Sequence, residues 1–361
     1  MKAVAHTLRR PAELAAAGLV APEATPELDR VAERYAVAIT PAMAALIDPT
    51  DPADPIARQF LPDPAELREH PAERADPIDD AGHSPMPGLV HRYPDRVLLK
   101  AVHTCPVYCR YCFRREMVGP GRSDGLSAED FERITAYVAA RPEIREVIVT
   151  GGDPFVLSPR RIAGLTEAFA ALPHVRTIRW HTRVPVVAPD LVTDELAAAL
   201  RRDGIATWVA IHADHPREFT AAAREACARL ADAGVPLVSQ SVLLAGVNDD
   251  AETLAELMRV FVENRIKPYY LHHPDLAPGT AHFRTDPAVG RALMRELWRR
   301  VSGLARPVYV LDMPDGAGKV PIGPSHLDAA EDGGWIVETV RGDHAPYDPG
   351  LPPRRGPSTA S

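Results

Sequence analysis

His103-Thr-Cys-Pro-Val-Tyr-Cys-Arg-Tyr-Cys-Phe-Arg-Arg115 holds three of the chain's four cysteines, Cys105, Cys109 and Cys112, spaced C-x3-C-x2-C within eight residues. Thiolates that close in sequence can wrap one metal centre. A cubane iron–sulfur cluster has four irons, and each wants a ligand. Three cysteines would leave one iron open to a substrate or cosubstrate. Structural zinc takes four closed ligands, so His103 or a distant histidine would have to supply the fourth. Inert thiols are a third reading. A disulfide suits neither the odd count nor the absence of a secretory signal. Cys227, in Arg224-Glu-Ala-Cys-Ala-Arg-Leu230, sits on an expected amphipathic helix and reads as a small buried side chain.

Outward from that stretch, the composition narrows the class. The 361 residues suit one large α/β barrel with extensions. Hydrophobic residues make up 46% and charged residues 25%, ordinary values for a globular protein. A net charge of −8 asks for neither nucleic acid nor an anionic membrane. No apolar run approaches the roughly 20 residues of a membrane span. Arg9-Arg10 does not open a twin-arginine signal, because Glu13 interrupts a following stretch that is too short and mixed. A cytoplasmic protein is expected, where thiols stay reduced. The 37 prolines mark extended connections and helix ends.

Before Val97 the chain reads as short helices, 12–17 and 26–34, and a run of Asx-Pro turns, Asp48-Pro-Thr-Asp-Pro-Ala-Asp-Pro55. This block is expected to wrap a barrel. From Val97 onward, apolar runs alternate with amphipathic segments. Strands are expected over 97–102, 146–150, 176–182, 207–213, 237–244, 267–272 and 308–311. Helices are expected from Ser127, whose capping box opens one, and over 162–172, 191–201, 216–231, 250–262 and 286–301. This alternation implies an α/β fold with a parallel sheet and right-handed crossovers, with six βα units between Val97 and His272. Polar residues fall at or just past strand ends: Cys105, Asp153, His181 to Arg183, His212, Gln240 and Asp275. Barrels gather ligands at the C-terminal ends of their strands, so one shared site is expected there.

The cysteine spacing, with Tyr111 before the last cysteine, resembles the signature of radical S-adenosylmethionine enzymes. Cys109-Arg-Tyr-Cys-Phe-Arg-Arg115, Thr150-Gly-Gly-Asp-Pro154 and Gly318-Lys319 together look like the lysine 2,3-aminomutase family. Ile39-Thr-Pro, His83-Ser-Pro and Pro87-Gly-Leu-Val-His-Arg-Tyr-Pro-Asp-Arg96 extend the likeness, which runs from about residue 39 to about 324. It implies a radical SAM partial (β/α)6 barrel, 91–285, behind an N-terminal helical arm, 1–90. A C-terminal segment, 286–340, carries a pyridoxal phosphate (PLP) lysine, and a disordered tail follows, 341–361.

The resemblance also implies a 4Fe–4S cluster on Cys105, Cys109 and Cys112, with S-adenosylmethionine on its open iron. Tyr111, Gly151, Gly152, Asp153, His212 and Gln240 would bind the S-adenosylmethionine, the glycines by allowing close backbone approach. Lys319 would carry pyridoxal 5′-phosphate covalently, with Arg92 and Arg96 on its phosphate. Taken alone, Lys319 could be a solvated surface charge. It does not complete a Walker A motif, because Val320 follows it. Arg114 would hold the α-carboxylate of free lysine, and Asp275 with Asp312 its ε-ammonium. Neither aspartate is expected to touch Lys319. The implied reaction moves the α-amino group to the β-carbon through radicals, with an electron donor such as flavodoxin or ferredoxin and a homo-oligomeric enzyme.

Two departures stand out. His272 replaces a phenol of the lysine enzyme, and His272-His-Pro-Asp275 is similar to the branch associated with a lysyl residue of elongation factor P. The extra cysteines with which some members bind structural zinc are absent. Alternatives are therefore a lysyl residue or another amino acid as substrate and, from a different class, a non-catalytic iron–sulfur or zinc protein.

Overall fold

Strands β1, Leu89–Tyr93, and β2, Arg96–Val102, pair as an antiparallel hairpin that opens the main sheet. Strands β3, Glu146–Gly151, β4, Thr177–Thr182, β5, Ala206–His212, β6, Leu237–Val242, β7, Ile266–His272, and β8, Val308–Asp312, follow in parallel. A short antiparallel β9, Lys319–Pro321, closes the order β1 to β9. The structure is a computed structural model that describes residues 4–119, 125–330 and 334–350.

The order of strands equals their order in the chain, as right-handed βα units stacked side by side require. Helices cover the outside. Ile134 and Val138 from Ala128–Ala139, Ile162 and Phe169 from Pro159–Ala170, and Leu254, Leu257, Met258 and Phe261 from Ala251–Glu263 are buried against it. A parallel sheet covered this way has apolar strand interiors, as in Val147, Ile148 and Val149 of β3. β1 does not pair with β9, so the barrel stays open. The sheet nevertheless curls enough for the β1 residue Tyr93 to accept a hydrogen bond, 2.7 Å, from the backbone N–H of Lys319 in β9.

The sequence-based elements need four corrections. The sheet runs past the expected barrel boundary at residue 285: β8 matches the strand expected over 308–311, β9 is an addition, and β1 crosses the expected boundary at residue 90. The helix expected over 216–231 is broken. Pro216–Glu218 makes a single tight turn, and Thr220 then caps a separate helix, Ala221–Asp232, which buries Cys227 as expected. The helix expected over 191–201 shrinks to Asp194–Ala199, capped by Thr193. The tail is not structureless from 341. β12, His344–Tyr347, pairs with β11, Trp335–Glu338, which pairs with β10, Leu327–Ala329. Residues 351–361 lie outside the described residues.

The N-terminal arm lies over the strand ends. Its Asx-Pro run ends with Asp54, whose carboxylate caps the helix Pro55–Phe60 through Ile56 and Ala57 N–H groups at 2.9 and 2.7 Å. Asp54 also pairs with Arg217 at 2.7 Å, tying the arm to the barrel.

Candidate active site

A cavity of about 540 Å³ lies within the curled sheet, lined by residues past the strand ends and by strand residues such as Arg96, Glu146 and Arg179. Its lining includes every residue expected to hold a cofactor or substrate: Cys105, Cys109, Tyr111, Cys112, Arg114, Gly151, Gly152, Asp153, His212, Gln240, Asp275, Asp312, Lys319, Arg92 and Arg96. Residues as far apart in sequence as Arg92 and Lys319 thus share one site because the sheet curls.

The cysteine loop leaves β2 and carries its three thiols into this cavity. Burial pushes all three thiols up, Cys112 to about 11, so anything that binds them as thiolates must supply positive charge. Arg183, just past β4, donates to Cys109 Sγ at 2.9 Å. Its guanidinium is fixed by Glu218 at 2.7 Å and also donates to Tyr111. The Tyr111 hydroxyl in turn donates to Asp214, which His212 Nε2 approaches at 2.9 Å. Burial would raise Asp214, but His212 and Arg183 outweigh it and hold the carboxyl at about 2.

The Gly-Gly-Asp turn plays a part the sequence did not reveal. A Cβ on Gly151 would meet Val102 O at 2.2 Å, and one on Gly152 would meet Thr104 O at 2.3 Å. The glycines therefore let β3 pack against the root of the cysteine loop; the close approach seen is to that backbone. Asp153 accepts from Thr182 Oγ1 at 2.7 Å and from the N–H groups of Phe155, Arg183 and Val184 at 3.0, 2.7 and 3.2 Å. Its carboxylate lines the cavity while holding the β3 and β4 loops in register.

Across the cavity, Lys319 begins β9. The loop before it needs Gly318 at φ +101°, where a Cβ would press on Tyr93 Oη at 2.8 Å. Lys319 Nζ bonds Asp312, against the expectation that the aspartates stand clear of it. His272 Nδ1 lies 3.2 Å from Asp312 and 3.4 Å from Lys319 Nζ, and its Nε2 lies 3.2 Å from Gln240 Nε2. His272 thus bridges residues expected at two different cofactors. The aspartates differ in state. Burial, then the charge of Asp312, pushes Asp275 up to about 7. Asp312 goes well below the usual carboxylate range: burial opposes this, but His272 and Lys319 prevail.

Several participants were not legible. Glu66 on the arm is fully buried and pairs with both Arg110, at 2.9 Å from Nε, and Arg115 of the cysteine loop. Asp80 pairs with Arg92 and Arg114 at 3.3 and 3.1 Å. These contacts join residues distant in sequence, and only the buried charges of the cysteine stretch hinted that partners must exist. Arg96 pairs with its neighbour Asp95 at 2.7 Å and lies over the Tyr93 ring at 3.8 Å.

The residues suit an iron–sulfur cluster and its partners. Among the described residues, no three Cys, His, Asp or Glu side chains converge as one metal ion would require. Cysteines that each bind a separate iron need no such convergence. Arg92 Nε and His181 Nε2 are buried at the cavity without a hydrogen-bond partner, as groups that await a ligand would be.

Known proteins resemble this chain over much of its length. The model of the radical SAM superfamily matches residues 99–258. The L-lysine 2,3-aminomutase of Acetoanaerobium sticklandii is 38% identical over 327 residues, covering 91% of this chain and 78% of that protein. That of Clostridium subterminale is 40% identical, covering 81% and 70%. The glutamate 2,3-aminomutase of Clostridioides difficile is 36% identical, covering 83% and 70%. With identities at this level across most of both chains, and the cysteine triplet and Lys319 on one cavity, the chain belongs to the lysine 2,3-aminomutase family of radical S-adenosylmethionine enzymes.

Proposed function

We infer that the protein is an L-lysine 2,3-aminomutase, an isomerase that moves the α-amino group of free L-lysine to the β-carbon. The observation that carries this reading is the single cavity that joins three cysteines, a reachable lysine and two aspartates. A 4Fe–4S cluster, S-adenosylmethionine and pyridoxal 5′-phosphate would supply the radical and the electron delocalisation when bound. Cys105, Cys109 and Cys112 hold the cluster, and Arg183 steadies Cys109. Tyr111, His212, Gln240 and the Gly151–Asp153 turn border the S-adenosylmethionine site.

Lys319 is the attachment point for pyridoxal phosphate, and Arg92 and Arg96 offer charge to its phosphate. When Lys319 is free, Asp312 holds its ammonium. Arg114 takes the substrate α-carboxylate. Asp275 has no hydrogen-bond partner among the described residues, so the distal ammonium of lysine would supply one and favour its ionised form. The same two carboxylates repel the side chain of glutamate. The reading also calls for an outside one-electron donor such as flavodoxin or ferredoxin, a cytoplasmic setting and a homo-oligomer. Among the described residues, no helix is long and apolar enough to cross a membrane.

The test offers L-lysine, L-glutamate and a lysyl peptide separately to anaerobically reconstituted protein, followed by amino-acid analysis. β-Lysine from free lysine alone is expected. Conversion of the peptide or of glutamate in preference to lysine overturns the substrate. Failure of hydrogen label at C5′ of S-adenosylmethionine to pass into β-lysine overturns the radical chemistry.

A further inference from the structure

Asp80 lies ahead of β1, is 1% exposed and lines the cavity. Its own loop fixes it: its N–H donates to Asp76 Oδ1 at 2.9 Å and its carbonyl accepts from Ser84 Oγ at 2.7 Å. Oδ2 accepts from Arg114 Nε at 3.3 Å and Nη2 at 3.1 Å, and Oδ1 accepts from Arg92 Nη2 at 3.3 Å. Burial would raise this carboxyl, but Arg114, Lys100 and Arg92 hold it below the usual range, so it stays charged.

A guanidinium has two edges that can each grip a carboxylate. One is Nε with Nη2, and the other is Nη1 with Nη2. Asp80 occupies the first edge of Arg114. The Phe113 ring lies 4.4 Å from the guanidinium carbon and limits its rotation. Among the described residues, no hydrogen-bond partner reaches Nη1. The second edge is therefore presented ready-made, and Lys100 and Arg92 share the same carboxylate with Arg114.

We propose that Asp80 is a positioning residue that sets the free edge of Arg114 for the α-carboxylate of a free amino acid. The proposal rests on the proposed function and deepens it, because it excludes a residue inside a peptide. An amide in that place has no charge and would turn an N–H donor toward the donors of Nη1 and Nη2.

The test uses protein loaded with pyridoxal phosphate, without reductant. Binding of L-lysine and of L-lysinamide is read from the change in cofactor absorption. Covalent attachment at Lys319 is checked by borohydride trapping and mass spectrometry. In the wild type, lysine should bind more tightly than lysinamide. Asp80→Asn should weaken lysine by about ten- to hundredfold and lysinamide far less, with Lys319 still trapped. In the Arg114→Gln background, Asp80→Asn should add nothing.

An equal loss for both ligands, or an undiminished loss in the Arg114→Gln background, overturns the proposal. If Asp80→Asn does not fold, Arg114→Lys decides, since lysine keeps the charge but has no second edge. Loss of lysine preference there supports the proposal, and wild-type preference overturns it. Wild-type protein that binds lysine but never converts it would fault the proposed function and leave this comparison standing.

Discussion

The two flanks of the cavity are built in opposite ways. The cysteine flank is clamped from outside: the arm residue Glu66, 0% exposed, holds Arg110 and Arg115, and Arg183 is fixed by Glu218. The lysine flank is a three-residue edge strand in which Val320 and Pro321 are exposed and the Lys319 side chain is 22% exposed. The first flank holds three thiols, whose ionisation burial opposes, on a loop fixed by buried ion pairs. The second leaves an amine within reach of a carbonyl compound from solution. One molecule thus keeps its radical source enclosed and its amine-handling group accessible, and the two should be separable by mutation.

The largest expected effects test that separation. Lys319→Ala should abolish borohydride-trapped pyridoxal phosphate and all turnover while iron content stays at the wild-type value. A trapped adduct in that variant would move the attachment to another lysine. Conversely, Cys105→Ala, Cys109→Ala and Cys112→Ala should each lose the iron and the cleavage of S-adenosylmethionine, yet still trap pyridoxal phosphate on Lys319. Cys227→Ala should keep its iron, since this thiol, pushed up to about 12 by burial, packs in the helix Ala221–Asp232. Iron loss in that variant would break the ligand assignment.

Smaller effects sharpen the account of the accessible flank. Asp275→Asn removes the partner of a desolvated ammonium, worth about 3–5 kcal/mol, so kcat/KM on L-lysine should fall by about two to four powers of ten. Trapping at Lys319 should persist in Asp275→Asn and weaken in Asp312→Asn, because only Asp312 bonds Lys319. On the enclosed flank, Glu66→Gln leaves two buried arginines poorly paired. It should cost a few kcal/mol, about 3–5 at most, read as a lowered midpoint in denaturant. An unchanged midpoint would mean that the arm does not clamp the loop.

The smallest effect is one of pH. Asp275, at about 7, is increasingly protonated below that pH and cannot then pair with an ammonium. Lysine binding should therefore strengthen as pH rises through about 7, by about tenfold between pH 6 and 8, and then level off. A flat profile in wild-type protein, or an unchanged rise in Asp275→Asn, would contradict that state.

Much of the enclosed flank could be read from the chain. C-x3-C-x2-C is local, and the βα alternation that supports it is periodic, so spacing alone placed the cysteines at a strand end. Less of the accessible flank was legible. β9 is three residues long and pairs only because Tyr93 and β8 lie beside it, which no periodicity reveals. The three-stranded sheet of β10 to β12 was missed for the same reason: each strand is four residues or fewer and gains its order from its neighbours. The charge partners were hidden by distance. Glu66 lies 44 residues before Arg110, and Asp80 lies 34 before Arg114. The Gly-Gly-Asp motif ends β3 much as the strand pattern implied, but its contact with Val102 and Thr104 appears only when β2 and β3 lie side by side.

The central claim is an intramolecular movement of nitrogen in this cavity. Reconstituted protein is incubated anaerobically with L-lysine labelled with nitrogen-15 at the α-amino group and carbon-13 along the chain. Carbon-13 spectra of the product then report which carbon bears the label. The account predicts nitrogen-15 coupled to the β-carbon of β-lysine, without loss of label to ammonia. Label that stays on the α-carbon, or is released as ammonia, would contradict it.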